Sequence, residues 1–362
     1  MKIGDRSIGE EFPPYVIAEL GVNHDGSPER LMELVRLAAG TGVDAVKFQY
    51  FEAERLMSRA SRLAKYQEES GERDPIEMLR RLETPIDALM AAGRLAHVLG
   101  LDAIVTVFSV ELFESARRFR WDAYKTASPD IINRPLLRAA MDTGRPVIVS
   151  TGASTMDEVE RAGSWLVPAS ARSMFLQCVS SYPAPPGELG IEGFVAMRDR
   201  FAGCPTGYSD HTPDVETGAR LVRLGACVLE KHMTYSNRAA GPDHSASLEA
   251  GAMRRYVTLA HAAWEHVSAY GVDEWQGERS KRVLDCERDV RSVSRQSIVA
   301  ARAITRGSTI TRDMLTIKRP GAGLEPWMIE SVVGRVAARD LVPDQPINEA
   351  DLASSAALKA SA

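Results

Sequence analysis

Along the first roughly 270 residues, short apolar runs alternate with longer stretches in which apolar positions recur at helical spacing, the pattern of parallel strands joined by helical crossovers. Eight strands are predicted: Tyr15–Glu19, Ala45–Gln49, Ala103–Phe108, Ala123–Thr126, Pro146–Ser150, Met174–Gln177, Thr206–Tyr208 and Val228–Lys231. Between the first two, Pro28–Thr41 reads as a helix, with Ser27 as N-cap, Pro28 at the first helical position and Gly42 ending the turn. Eight βα units favour a closed (β/α)8 TIM barrel over a doubly wound sheet. No GxGxxG or GxxxxGK[ST] segment argues otherwise.

Past Tyr270 the pattern changes. Gly271–Cys286 is polar and charged and reads as a linker, and Ser292–Leu352 is short and β-rich. This last part holds an internal repeat: Ala301–Leu315 matches Ala338–Leu352 at a constant offset, since 338 − 301 = 37 and 352 − 315 = 37. Gly307 and Asp344 fall at equivalent turns of two strand-turn-strand units. The expected division is a barrel over 1–275, a linker over 276–291, a small β domain over 292–352 and a frayed tail over 353–362.

Composition narrows the class of protein. With 362 residues, 44% hydrophobic and 26% charged, the chain is globular, not disordered, collagen-like or disulfide-stapled. Lys plus Arg total 44 against 49 Asp plus Glu, a net charge of −5, which excludes nucleic acid or an anionic membrane as the main partner. Met1–Phe12 has no apolar core of a secretory signal, and no apolar run reaches the roughly 20 residues that cross a bilayer, so the expected location is cytoplasmic. Cys178, Cys204, Cys227 and Cys286 form no CxxC pair and read as reduced thiols.

In such a barrel the chemistry sits at the C-terminal ends of the strands, and this chain places polar residues at nearly every one. They are Glu19, Lys47 with Gln49, Thr106, Lys125 with Ser128, Ser150 with Thr151, Tyr182, Ser209-Asp210-His211 and Glu230-Lys231-His232. Buried unpaired charge costs several kcal/mol, so two readings compete: ion pairs that support the barrel, or a site. Recurrence on strand after strand favours the site. Two lysines with several hydroxyls suit a phosphorylated or carboxylated anion. His211 and His232, at the ends of neighbouring strands, are either structural histidines or an open pair for one divalent ion. His24 and His244 flank the same loops as further polar contacts, while His97, His261 and His266 fall on helices.

Several blocks then carry a resemblance: Ala18-Glu19-Leu20-Gly21 through Asn23-His24, Lys47-Phe48-Gln49, Tyr124-Lys125 through Ser128, Ser150-Thr151-Gly152, Ser180-Ser181-Tyr182-Pro183, Ser209-Asp210-His211, Glu230-Lys231-His232 and Gly241-Pro242-Asp243-His244. In this order they resemble the sialic acid (N-acetylneuraminate) synthase family, and Ser292–Leu352 with Lys318-Arg319-Pro320-Gly321 resembles its appended antifreeze-like (SAF, β-clip) domain. The resemblance implies condensation of phosphoenolpyruvate with an open-chain N-acetylated hexosamine, N-acetylmannosamine or a relative, with release of phosphate by C–O cleavage. It implies a divalent metal, typically Mn2+, with Mg2+ or Co2+ as alternatives, held by His211 and His232. It makes Glu19, Lys47 and Lys125 catalytic. Lys47, Thr106, Lys125, Ser128, Ser150 and Ser209 become the phosphoenolpyruvate seat, with Gln49, Ser180, Tyr182 and Asp243 on the sugar side. Arg319 is implied to reach over the barrel of a partner subunit to the N-acetyl group, in a domain-swapped homodimer.

The chain departs from the family pattern at Ser180 and Tyr50, both placed near the sugar side, and at Asp130 and Asn237–Ala240. The acceptor therefore stays open among N-acetylmannosamine, its phosphate and diacetamido sugars of the legionaminic or pseudaminic type. The competing readings are a Schiff-base pyruvate aldolase using Lys125 or Lys47, and a non-catalytic carbohydrate-binding barrel.

Overall fold

A computed structural model describes residues 1–353, apart from the side chains of 168–170. The tail expected beyond Ala353 lies outside the described residues. Strands β3 (Tyr15–Gly21), β4 (Ala45–Tyr50), β5 (Asp102–Val107), β6 (Ala123–Thr126), β7 (Val147–Ser150), β8 (Ser173–Cys178), β9 (Thr206–Asp210) and β10 (Val228–His232) close into a parallel barrel in chain order, β10 pairing back onto β3. Each predicted strand is present, with ends shifted by at most two residues and Ala123–Thr126 unchanged. The first crossover helix runs Pro28–Ala39, with the Ser27 hydroxyl accepting from the Arg30 N–H. It stops before Gly42, which takes a φ of 89° that side chains disfavour. No helix among the described residues is long and apolar enough to cross a membrane.

The two-residue side-chain period of a strand sorts the barrel into two layers. Inward-facing Ile17, Ala45, Ile104, Ala123, Ile148, Met174 and Val228 form one apolar cluster, joined by Ile3 and Ile8. Ile3 and the residues before Ile8 form an antiparallel hairpin, β1 (Lys2–Ile3) with β2 (Arg6–Ser7), that closes the barrel from below. Two residues further up, the inward positions turn polar on most strands, while β8 keeps Leu176. The register sets Glu19 beside Lys47, Thr106 beside Lys125 and Ser209 beside Glu230. Outward positions such as Val46, Phe48, Val105, Val149 and Leu229 pack under the helices in the main core.

The same parity removes some predicted site candidates. Lys231 and Asp210 point outward and pair at 2.9 Å, both fully buried. Lys231 also donates to the Thr212 hydroxyl at 3.2 Å and lies over the Tyr256 ring. Tyr50, placed by sequence near the sugar, likewise faces the helical layer, where its hydroxyl meets Ser115 Oγ at 2.8 Å.

The repeat becomes a pseudo-twofold in the small domain, built on β11 (Ser297–Ala300) and β12 (Leu315–Lys318). Ile304 and Leu341, equivalent by the 37-residue offset (341 − 304 = 37), exchange both backbone hydrogen bonds with each other at 2.9 Å. The Gly307 N–H donates to the Ala337 carbonyl as the Asp344 N–H does to Ala300, both at 2.8 Å. Only two strands form here, because most of the domain pairs through single bridges such as Thr309 with Val336 and Ala337 with Leu352. Its core is a separate cluster containing Ile298, Ile310, Leu315, Leu341 and Ile347.

The expected linker is docked. Lys281 and Glu287 within it are 6% and 1% exposed, and a helix, Arg288–Ser294, begins inside the span assigned to it. Charged residues that read as solvated in sequence find partners on the barrel loops.

Removing one member of a buried ion pair leaves the other unpaired, at a cost of about 3–5 kcal/mol. Lys231→Met is therefore expected to lower stability by about that amount in a urea titration. Lys231→Met with Asp210→Leu is expected to recover most of the loss.

Candidate active site

The polar upper layer opens into one cavity at the C-terminal mouth. It is lined by Glu19, Lys47, Gln49, Thr106, Lys125, Ser128, Ser150, Ser180, Tyr182, Ser209, His211, His232, Asp243 and Arg319. Every residue to which the resemblance gives a role is thus brought to the same space. His24 and His244 are not: His24 packs on the Thr84 hydroxyl, and His244 bonds Asp25 at 2.9 Å and Thr234 at 2.7 Å.

Two lysine–carboxylate pairs organise the depth of the cavity. Lys47 pairs with Glu19 Oε2 and donates to Thr106 Oγ1 at 2.9 Å. Gln49 Nε2 donates to Glu19 Oε1 at 2.7 Å, so both carboxylate oxygens are fixed. Lys125 lies 3.1 Å from Glu230 Oε1, which also accepts from Ser209 Oγ at 3.0 Å. Burial pushes the Glu19 carboxyl up while Lys47 opposes the shift. Lys47 is raised, the attraction of Glu19 and Glu230 outweighing its burial. Glu230, also buried, is drawn down to about 2 by Lys125 and Lys47. Burial lowers Lys125 against the pull of Glu230.

Hydroxyls complete this layer. Ser128 Oγ accepts from the Gly152 N–H at 2.9 Å, and Ser150 Oγ is buried with no partner among the described residues. A Cβ on Gly152 would sit 2.2 Å from Ser180 Oγ, so only glycine lets the backbone approach these hydroxyls.

The histidine rings face each other across 5.4 Å between centroids. His211 Nδ1 is 2.7 Å from the Val179 carbonyl, which can only accept; its proton therefore sits on Nδ1 and the Nε2 lone pair is free. His232 Nδ1 is a buried atom without a hydrogen-bond partner, 3.6 Å from Asp243 Oδ2. Burial lowers both imidazoles to about 3, the neutral form that ligation needs. Cys178, between them and Lys125, is pushed up to about 12 by burial and stays a thiol. No group of three or more His, Cys, Asp or Glu among the described residues is arranged to hold a metal. His211 Nε2 and His232 Nδ1 are the two nitrogens that could meet such an ion.

One wall comes from the excursion after β4, where Phe51, Leu56, Met57, Met78 and Leu82 form an apolar cluster with Phe108. Tyr66, on the same excursion, packs on Tyr182 at 5.1 Å, and Tyr182 on His211 at 4.1 Å. Burial, with Glu19 nearby, pushes Asp243 up to about 7. Glu230 and Tyr66 lacked an assigned role in the sequence reading. Glu230 was readable from its strand-end position, whereas Tyr66 lies on a loop excursion with no such marker.

Arg319 closes the cavity of its own chain. Its N–H donates to the Leu56 carbonyl at 2.9 Å, its carbonyl accepts from the Ser58 N–H at 3.0 Å and Ser61 Oγ at 2.9 Å, and its guanidinium lies over Phe108. Within this chain the arginine expected from the resemblance thus meets the cavity of the barrel that precedes it. The docked linker holds the small domain on the barrel that precedes it.

A closed parallel barrel with a buried, charged cavity at its mouth and a small domain as cover defines an enzyme of the sialic acid synthase kind. Residues 34–270 match the NeuB family and 295–353 the SAF domain. The chain belongs to the NeuB family, that of the sialic, legionaminic and pseudaminic acid synthases. It is 32% identical to N,N'-diacetyllegionaminic acid synthase of Legionella pneumophila over 91% of this chain and 92% of that one. It is 30% identical to N-acetylneuraminate-9-phosphate synthase of Homo sapiens over 95% and 94%. The crystal structure of spore coat polysaccharide biosynthesis protein spsE from Bacillus subtilis aligns with a TM-score of 0.84 at 26% identity, covering 98% of this chain and 99% of that one.

Proposed function

We propose that the protein condenses phosphoenolpyruvate with an open-chain N-acetylated hexosamine to give a nonulosonic acid and phosphate. The observation that carries this reading is the pair of buried lysines ringed by hydroxyls, with Ser150 Oγ unpartnered, directly beside two neutral imidazoles. Lys47 and Lys125 supply charge for a phosphate and a carboxylate, and Thr106, Ser128, Ser150 and Ser209 supply hydrogen bonds.

His211 and His232 would hold a divalent cation such as Mn2+, which when bound polarises the acceptor's aldehyde oxygen. Residues of the sugar side, Gln49, Ser180, Tyr182, Asp243 and Arg319, orient the acceptor so that its C1 meets C3 of phosphoenolpyruvate. The new C–C bond forms there and the aldehyde oxygen takes a proton to become a hydroxyl. Glu19, with both oxygens anchored, faces the cationic C2 that results and accepts the proton of the water that adds to it. The bond from C2 to the bridging oxygen then breaks and phosphate leaves, producing the 2-keto acid.

An aldolase would need a free amine. Lys47 is instead held protonated against Glu19, and the lowering of Lys125 by burial is opposed by the Glu230 carboxylate 3.1 Å away.

Phosphate release from phosphoenolpyruvate with Mn2+, measured across a panel of N-acetylated hexosamines, is expected with at least one acceptor and is expected to stop in EDTA. Trapping by borohydride with pyruvate, unaffected by EDTA, would replace this reading with the aldolase. Glu19→Gln is expected to lower kcat by about 10²–10⁴-fold while phosphoenolpyruvate still binds; a wild-type kcat would remove Glu19 from the chemistry.

Arg319→Ala is expected to raise the acceptor KM more than the phosphoenolpyruvate KM. Mixing Glu19→Gln and Arg319→Ala subunits distinguishes the two domain arrangements: closure within one chain gives only the average of the two activities. Recovery on mixing would show that the arginine serves a partner.

A further inference from the structure

Behind the loops that carry Ser150 and Ser180 lies a carboxylate that has no part in the site described above. Glu287 comes from the segment after the barrel and is 1% exposed. Its Oε1 accepts from the backbone N–H of Ala153 at 2.6 Å and of Ser180 at 2.8 Å, and its Oε2 from that of Leu284 at 2.9 Å. One oxygen thus ties together the loops that follow β7 and β8.

Ala153 itself is held at a φ of 50°, a left-handed conformation uncommon for a residue with a side chain. Its carbonyl is gripped from the opposite side by Arg291 and, at 2.9 Å, by Arg295. Both arginines pair with Glu158, at 2.9 Å and 3.0 Å. The neighbouring Gly152 donates its N–H to Ser128 Oγ at 2.9 Å. The strained residue therefore sits next to the peptide that meets the cavity's hydroxyls, clamped on both sides by groups from beyond the barrel. Arg295 leads directly into β11, so the same stretch also seats the small domain.

We infer that Glu287 is a positioning residue. It holds Ala153 and Ser180 in the backbone geometry that presents Ser128 and Ser150 to the bound anion, and it ties that geometry to docking of the small domain. The inference rests on the phosphoenolpyruvate reading for the identity of the anion. A purely structural role for Glu287 would cost stability alone. A positioning role costs anion affinity, and glycine at 153, which adopts a positive φ without strain, restores part of it.

The test is calorimetric titration of phosphoenolpyruvate into the full-length Mn2+-loaded protein, with amide hydrogen exchange of residues 150–153 and 178–182 followed in parallel. Glu287→Gln is expected to weaken phosphoenolpyruvate binding at least tenfold and speed exchange in both loops. Adding Ala153→Gly is expected to regain at least threefold in affinity. Glu158→Gln, which disturbs the arginines on the Ala153 carbonyl but neither N–H bonded to Glu287, is expected to lose less affinity than Glu287→Gln. Wild-type affinity in Glu287→Gln, no recovery with Ala153→Gly, or an equal loss in Glu158→Gln overturns the proposal. If wild type itself fails to bind phosphoenolpyruvate, the functional reading falls, and unchanged loop exchange in Glu287→Gln then overturns the positioning role separately.

Discussion

An ammonium group inside a barrel is tolerated only where a carboxylate meets it, and the upper barrel is arranged around that requirement. Lys47 is paired with Glu19 and Lys125 with Glu230, on strands whose register places these groups at one height. The hydroxyls of Thr106 and Ser209 sit beside these pairs because their strands reach the same level. Glu230 Oε2 has no hydrogen bond, so the network is close to neutral without being saturated. Such a layer can accept an anion by rearranging few groups, since the donors are already oriented.

Much of this was legible because strands have a period of two. Once Ile17, Ala45, Ile104 and Ile148 are recognised as inward, Glu19, Lys47, Thr106 and Ser150 follow two positions later. Counting parity also identifies Lys231, Asp210 and Tyr50 as outward, and the sequence reading erred where it grouped residues by position near a strand end without counting. The 37-residue repeat was readable for the same reason, as a fixed spacing that backbone pairing then obeys.

What stayed hidden lacks periodicity. The charged run after Tyr270 looks solvated in sequence, because nothing local shows that Glu287 meets the N–H groups of Ala153 and Ser180 more than 100 residues upstream. Nor does sequence show that the segment before Arg319 is anchored, as Arg291 and Arg295 anchor it here through Glu158.

The hairpin beneath the barrel has a consequence for traffic through it. With Ile3 and Ile8 sealing the lower end, molecules enter and leave by the rim alone. Lys47 and Lys125 lie deep, whereas Arg319 and Tyr66 lie at the opening. A chamber with a single doorway leaves access to its charged floor in the hands of the groups that line the rim.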